Sequence, residues 1–278
     1  MDDLATYAQN TWCTGCGNFG ILGAFKKAVR RLESEGTPRR DLAIVTGIGC
    51  HGKIFDYLNL NGFYSLHGRS VATAQGIKLG NPALKVVAFV GDGDAYGEGI
   101  AHLVFAAKRN ADITVIVHNN GTYGLTTGQA TPTSRRGFRG PSTPRGTVED
   151  PLNPLALMLT AGATFVARGY PMKLDHLVEL MVRAVRHEGF SLLDVLQPCV
   201  TFNNTYELYN SMVTELDSLP GALEDSLGAA RRTDRLLIGV MREVPAESHH
   251  RLLMGDSRPA EHRATRARRL KAVRRFVS

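Results

Sequence analysis

Apolar residues at Phe19, Leu22, Phe25, Val29 and Leu32 recur at helical spacing with Lys26, Lys27, Arg30 and Arg31 between them, which predicts an amphipathic helix. The short run LAIVT at 42–46 then reads as a buried strand and leads into the glycine-rich GIGCHGK. Further helices are predicted over 70–79, closed by the breaker Asn81-Pro82, and over 100–108, 154–161 and 173–187. Further strands are predicted over 86–90, 113–117, 164–167 and 191–199. These strands do not alternate apolar with polar, and helices separate them. That combination predicts a parallel sheet covered on both faces, a doubly wound α/β domain. Between them lies a polar stretch, 119–150, rich in Gly, Thr, Pro and Arg, and a loop of that length inside a compact domain is usually functional. The α/β domain is expected over 1–219 and an irregular C-terminal extension over 220–278. No internal repeat is visible.

Charge changes this picture only at one end. The formal charge is +7, but Met241 to Ser278 holds ten Arg and Lys against four Asp and Glu, so the body of the chain is nearly neutral. The basic run ATRARRLKAVRR at 264–275 reads as a solvated or subunit-covering helix, and next as a landing site for an acidic protein. No base-reading motif accompanies it, so nucleic acid is not an expected partner. No apolar run reaches the roughly 18 residues of a membrane span, and the start, MDDLATYAQN, is acidic without an apolar signal core. The expectation is a soluble cytoplasmic protein of 278 residues, long enough to bury a substantial core without disulfides, with no membrane partner.

Candidate chemistry begins at VAFVGDGDAY, where a buried strand runs into two aspartates set between glycines. In a parallel sheet, ligands bind beyond the carboxyl ends of strands. Gly91 and Gly93 would let the backbone approach a phosphate, and the following helix would present free N–H groups. Asp92 beside a diphosphate requires a hard cation between them, which Mg²⁺ supplies. The next strand ends in HNNGTYG, so the amide oxygen of Asn120 and the carbonyl of Thr122 can reach the same ion. Asp94 reads as a helix N-cap.

The four cysteines are Cys13 and Cys16 in WCTGCG, Cys50 in GIGCHGK and Cys199 in LQPC. A thioredoxin-like pair would explain CxxC but leave two cysteines over. Structural zinc usually draws on two tight pairs. One close pair with two distant singles also suits an iron–sulfur cluster held from separated loops.

GDG at 91–93 followed by Asn119-Asn120 after an apolar strand resembles the thiamine diphosphate fingerprint, in which the Asp, the second Asn and the carbonyl two residues on hold Mg²⁺. Together with WCTGCG, GIGC, QPC, LHGRSVATAQGIKLGNP at 66–82 and YGLTTGQATPTS at 123–134, it resembles the β subunit of 2-oxoacid:ferredoxin oxidoreductases over Gln9 to Asn204, about 70% of the chain. The resemblance implies thiamine diphosphate, Mg²⁺ on Asp92, Asn120 and Thr122, and one [4Fe-4S] cluster on Cys13, Cys16, Cys50 and Cys199. It implies a cofactor site that also includes Gly49, His67, Gly91, Gly93 and Asp94. The implied reaction is coenzyme A-dependent oxidative decarboxylation of a 2-oxoacid, 2-oxoglutarate before pyruvate, with electrons leaving to ferredoxin. Lys53 is placed beside the substrate carboxylate and Leu125 over the thiazolium ring. Relatives carry a lysine, associated with coenzyme A, where this chain has Thr127, and Arg135, Arg136 and Arg139 are the substitutes at hand. A glutamate for the aminopyrimidine must come from a pyrimidine-binding domain on an α subunit, in an (αβ)₂ or larger assembly.

Overall fold

The computed structural model describes residues 4–257, 259–261 and 265–274, so both ends of the basic run at 264–275 lie outside the described residues. In chain order its elements are α1 (Asn18–Ser34), β1 (Leu42–Thr46), β2 (Asn61–Tyr64), α2 (Ser70–Gly80), β3 (Lys85–Gly91), α3 (Ile100–Lys108), β4 (Thr114–Asn119), α4 (Pro154–Thr160) and β5 (Phe165–Gly169). They continue with α5 (Leu174–Arg186), β6 (Ser191–Leu196), α6 (Tyr206–Met212), β7 (Val213–Glu215), α7 (Leu223–Ala230), β8 (Leu236–Glu243), α8 (His249–Met254) and α9 (Arg266–Arg274). Within the described residues the strands form one eight-stranded sheet in the order β2-β1-β3-β4-β6-β5-β8-β7. The strands from β2 to β5 run parallel, and β8 joins β5 antiparallel.

Two apolar layers explain why the central strands show no alternation. Ile44, Val87, Phe89, Ile116 and Leu193 pack with α1 and α5 on one face. Val45, Ala88, Val90, Val115, Val117 and Leu192 pack with α2, α3 and α4 on the other. Each strand residue therefore meets apolar neighbours whichever way it points. At about 25 cal/mol per Å² of buried apolar surface, these two layers are the main favourable contribution to folding.

The α/β architecture agrees with the sequence-based expectation, with two differences. The face of α1 that is buried is Ile21, Ala24, Phe25, Ala28, Val29 and Leu32, while Phe19 stays 42% exposed. Its basic side chains reach α5 instead, through Lys27 to Asp175 at 3.3 Å and Arg31 to Glu179. The expected irregular extension from residue 220 is corrected over 223–243, where α7 forms, β8 enters the sheet between β5 and β7, and Ile238 and Met241 are fully buried. Over its described residues the basic run forms the helix expected of it, α9, whose described side chains are exposed. None of the described helices is long and apolar enough to cross a membrane.

Register and direction together position the site. The carboxyl ends of β1, β2, β3, β4 and β6 all fall on one edge of the sheet, and they lead into GIGC, SLHGR, GDGD, NNGTYG and QPC respectively. Gly91 pairs with His118, so Asp92 and Asn119-Asn120 leave the sheet side by side. The amino-terminal segment is fastened to the same edge by Gly17 N–H donating to the Pro198 carbonyl at 3.2 Å and by the Tyr206 hydroxyl donating to the Gly15 carbonyl at 2.9 Å.

Candidate active site

Two hollows open on this edge. The first, about 520 Å³, is lined by Gly49, His51, His67, Gly91, Asp92, Gly93, Asp94, His118, Asn120, Thr122 and Tyr123, among others. The second, about 630 Å³, is lined by all four cysteines together with Thr11, Trp12, Lys53, Gln197 and Phe202. Cys50, Asn120, Gly124 and Leu125 face both. The fourteen residues assigned from the sequence to cofactors, metals or catalysis line one hollow or the other, whereas Thr127, Arg135, Arg136 and Arg139 line neither.

Asp92 is 1% exposed at the end of β3. Burial pushes its carboxyl up, and hydrogen bonds from Thr131 and Thr133 oppose that. Asn120 turns its amide oxygen onto the Thr122 N–H at 3.1 Å, which leaves that oxygen a second lone pair. The donor set is thus one carboxylate, one amide oxygen and one backbone carbonyl. These are hard oxygens, with too little charge to hold a divalent ion until a diphosphate joins them, and they fit Mg²⁺.

The two glycines flanking Asp92 have a packing role in addition to the one expected. A Cβ on Gly91 would lie 2.7 Å from His51 Nδ1, and one on Gly93 would lie 2.2 Å from Tyr123 Cε1. Gly49, at φ +147°, could carry no side chain without strain.

Asp94 is not a helix cap. Residues Gly93–Glu98 form a single π-helical turn ahead of α3, without a side-chain cap. The Asp94 carboxylate instead crosses to the loop after β2, accepting from Gly68 N–H at 2.6 Å and pairing with His67 Nδ1 at 2.7 Å, with His51 Nε2 at 3.3 Å. Burial alone would raise its carboxyl, but the two histidines and the amide outweigh it and carry it down to about 2. The same hydrogen bond raises His67, which lines the cleft beside it. His118 goes the other way, because burial, and then His51, push it well below its ordinary value.

The thiols come from three segments. Trp12 Nε1 donates to the Cys50 carbonyl, and Gln197 Nε2 lies 3.6 Å from Cys16 Sγ, so the segments hold one another. A Cβ on Gly124 would sit 3.5 Å from Cys50 Sγ and 4.0 Å from Cys199 Sγ, which puts both sulfurs against the shared wall. Burial pushes the Cys16 thiol up to about 11 and raises Cys50, the latter opposed by Lys53. No three His, Cys, Asp or Glu side chains among the described residues gather closely enough to share a single metal ion. Four soft sulfurs spread around a hollow fit a larger iron–sulfide core better than one zinc, whose thiolates must converge at about 2.3 Å.

Lys53 Nζ donates to Thr11 Oγ1 at 3.1 Å at the rim of the thiol hollow. Leu125 is 48% exposed on the wall between the hollows. Thr127 has φ +77°, a left-handed backbone that a β-branched residue rarely adopts. Arg135, Arg136 and Arg139 lie exposed on the long loop, with Arg136 paired to Asp150 at 3.1 Å. Sequence reasoning left Thr131 unassigned and passed over Thr133 and Asn119, all of which the fold brings to Asp92 or next to it.

Known proteins resemble the chain in both sequence and fold. Residues 47–195 match the family described as thiamine pyrophosphate enzyme, C-terminal TPP binding domain. The chain is 49% identical over 215 residues to a 2-oxoacid:ferredoxin oxidoreductase subunit beta from a Sulfolobus species, covering 76% of this chain and 70% of the relative. It is 35% identical to the 2-oxoglutarate synthase subunit KorB of Methanothermobacter thermautotrophicus, over 88% of this chain and 81% of that one. A solved structure of the 2-oxoglutarate:ferredoxin oxidoreductase from Magnetococcus marinus, with 2-oxoglutarate, coenzyme A and succinyl-CoA bound, superposes with a TM-score of 0.88 at 33% identity, over 98% of this chain and 94% of that one. On these grounds the chain belongs to the family of 2-oxoacid:ferredoxin oxidoreductase β subunits.

Proposed function

We propose that the chain is the thiamine diphosphate- and cluster-binding half of an enzyme that oxidatively decarboxylates a 2-oxoacid, 2-oxoglutarate in preference to pyruvate, forming acyl-coenzyme A and reducing ferredoxin. The observation that carries this reading is the pair of adjoining hollows, one lined by Asp92, Asn120 and Thr122 and the other by Cys13, Cys16, Cys50 and Cys199, with a common wall. Bound thiamine diphosphate would supply the carbon nucleophile and a [4Fe-4S] cluster a one-electron acceptor beside it.

The chain's own residues have definite tasks in this scheme. Asp92, the Asn120 amide oxygen and the Thr122 carbonyl would hold Mg²⁺, and Cys13, Cys16, Cys50 and Cys199 would hold the cluster. His67, hydrogen-bonded to Asp94, faces the diphosphate end of the cleft. Leu125 excludes water from the wall. Lys53 offers its ammonium to a distal carboxylate, which favours the dicarboxylic substrate over pyruvate. Coenzyme A approaches without the lysine that relatives carry at position 127, leaving Arg135 and Arg139 as cations of the nearby loop. An α subunit brings the pyrimidine-binding domain and its glutamate, in an (αβ)₂ assembly, and the basic C-terminal segment helps an acidic ferredoxin dock.

The test is an anaerobic assay of the co-expressed α and β chains with each acid, coenzyme A and a low-potential dye. Brown protein containing iron and sulfide, and dye reduction with 2-oxoglutarate, are expected. Cys199→Ala should lose iron and dye reduction yet keep thiamine diphosphate binding. Iron-free protein that still reduces the dye would overturn the cluster assignment. Lys53→Met should raise KM for 2-oxoglutarate more than for pyruvate, and equal effects would remove Lys53 from substrate selection. Ferredoxin kinetics unchanged by truncation at Pro245 would remove the tail from docking.

A further inference from the structure

The polar loop after β4 returns to the end of β3 and closes on one atom. Thr131 Oγ1 donates to Asp92 Oδ2 at 2.5 Å, and Thr133 Oγ1 lies 2.6 Å from the same oxygen. Thr131 is 8% exposed, and its own N–H donates to Ser134 Oγ at 2.8 Å, while Ser134 Oγ donates to the Gly121 carbonyl at 2.7 Å. The loop that carries the two hydroxyls is therefore tied to the segment that carries Asn120 and Thr122. Thr133 Oγ1 also lies 2.9 Å from Asn119 Oδ1, and the Asn119 amide donates to Asp194 Oδ1 at 3.0 Å. Asp194 is fully buried and is held in turn by the Tyr96 hydroxyl at 2.9 Å and by Arg168 at 3.4 Å.

We propose that Thr131 and Thr133 are positioning residues for the Asp92 carboxylate: by holding Oδ2 from the loop side, they turn Oδ1 toward the cation that binds the diphosphate. A buried carboxylate with free rotation about its last bond would present either oxygen, and either face, to an incoming ion. The Thr131 hydroxyl, joined by Thr133 when it donates to Asp92, adds to the backbone N–H groups of Asn120 and Asp92 itself in removing that freedom before the ion arrives. Thr133 has one proton for two acceptors, Asp92 and Asn119, so it can satisfy only one at a time. Thr131 Oγ1 has the Thr133 and Ser134 hydroxyls at 3.4 and 3.3 Å as other neighbours, both farther than Asp92 Oδ2 at 2.5 Å. When Thr133 donates to Asn119 instead, it is tied through Asn119 to Asp194 and so to the sheet, and Thr131 alone of the two holds Asp92. Partners that orient a metal ligand in this way are typically worth about 10- to 100-fold in metal affinity.

This inference rests on the reading of Asp92 as a Mg²⁺ ligand, and the experiment separates the two. In the purified αβ complex stripped of cofactor, thiamine diphosphate binding is measured by calorimetry as Mg²⁺ is varied, alongside thermal denaturation without cofactor. Asp92→Asn should abolish the Mg²⁺-dependent component, and if it does not, the ligand reading itself is wrong. Given that loss, Thr131→Val and Thr133→Val should each raise the Mg²⁺ concentration for half-saturation by about tenfold or more. Thr131→Ser and Thr133→Ser, which keep the hydroxyl, should restore it. Half-saturation unchanged in both valine variants would overturn the inference. So would serine variants as weak as the valine ones, or weakening matched by an equal loss of cofactor-free stability, since each marks a packing role.

Discussion

Trp12 donates its indole N–H to the backbone carbonyl of Cys50, so the one tryptophan of the chain is fixed against a thiol-bearing loop. Its ring is held edge-on by Phe19 at 5.5 Å and Tyr57 at 4.9 Å. Assembly of iron and sulfide among the cysteines should quench tryptophan emission during anaerobic reconstitution. Emission that stays constant while iron and sulfide are taken up would place them elsewhere. Trp12→Phe keeps the aromatic contacts but leaves the carbonyl without its donor, an expected cost of about 1–3 kcal/mol, measurable by urea unfolding.

Gly93→Ala should weaken thiamine diphosphate binding. The added methyl would meet Tyr123 Cε1 at 2.2 Å, and Tyr123 follows directly on Thr122. Relief requires the ring and its backbone to move, at about 1–3 kcal/mol for overpacking. Gly76→Ala, within α2 and with nothing inside 4 Å of the new Cβ, is the control. It should leave binding intact and raise stability by about 0.5–1 kcal/mol, and equal behaviour of the two variants would refute the steric account.

Away from the site, Lys78 and Asp112 form an ion pair at 2.6 Å with side chains 6% and 10% exposed. Asp112 lies below its ordinary value of 3.8 because, although burial raises it, Lys78 and the Gly189 N–H pull it further down. Burial also lowers the Lys78 ammonium, since desolvation there outweighs its partner, so the acid-side linkage rests on Asp112. A depressed carboxyl contributes its full stability above 3.8 and loses it as pH falls through the lower folded value. Lys78→Met should cost about 3–5 kcal/mol at neutral pH and move acid unfolding to higher pH, because the stranded carboxylate then prefers its proton. Lys78→Met combined with Asp112→Leu should be the milder variant, its remaining cost including the lost bond from Gly189 N–H, as judged by unfolding midpoints across the acid range.

Thr127 stores backbone strain at φ +77°. Thr127→Gly should stabilise the chain by about 1–2 kcal/mol, seen as a higher unfolding temperature. A lower one would mean that the Thr127 hydroxyl, which donates to the Thr126 carbonyl at 2.6 Å, outweighs the strain.

The pairing of Asp92 with Asn120 was legible before any coordinates because both follow apolar strands, and parallel neighbours deliver their ends together. The four cysteines were legible as one set through their flanking motifs. What escaped was long-range or subtle. Alanines at 24 and 28 carry the buried face of α1 as much as its large residues do, so the heavier Phe19 misled the periodicity. LLIGVM at 236–241 has the apolar content of a strand, but the charged stretches around it made the whole segment read as irregular. Asp94 was assigned to a helix start that proves to be a π-helical turn, and its partners lie on another loop. Thr131 and Thr133 sit in a polar loop where nothing local distinguishes them from other threonines. Only the fold carries them back to Asp92.

Cys50, Asn120, Gly124 and Leu125 each present a surface to both hollows. The partition between the two chambers is one residue thick along this line, so neither chamber can drift in shape without deforming the other. A substitution at any of the four should therefore reshape both chambers together, and no single exchange there can alter one and spare the other.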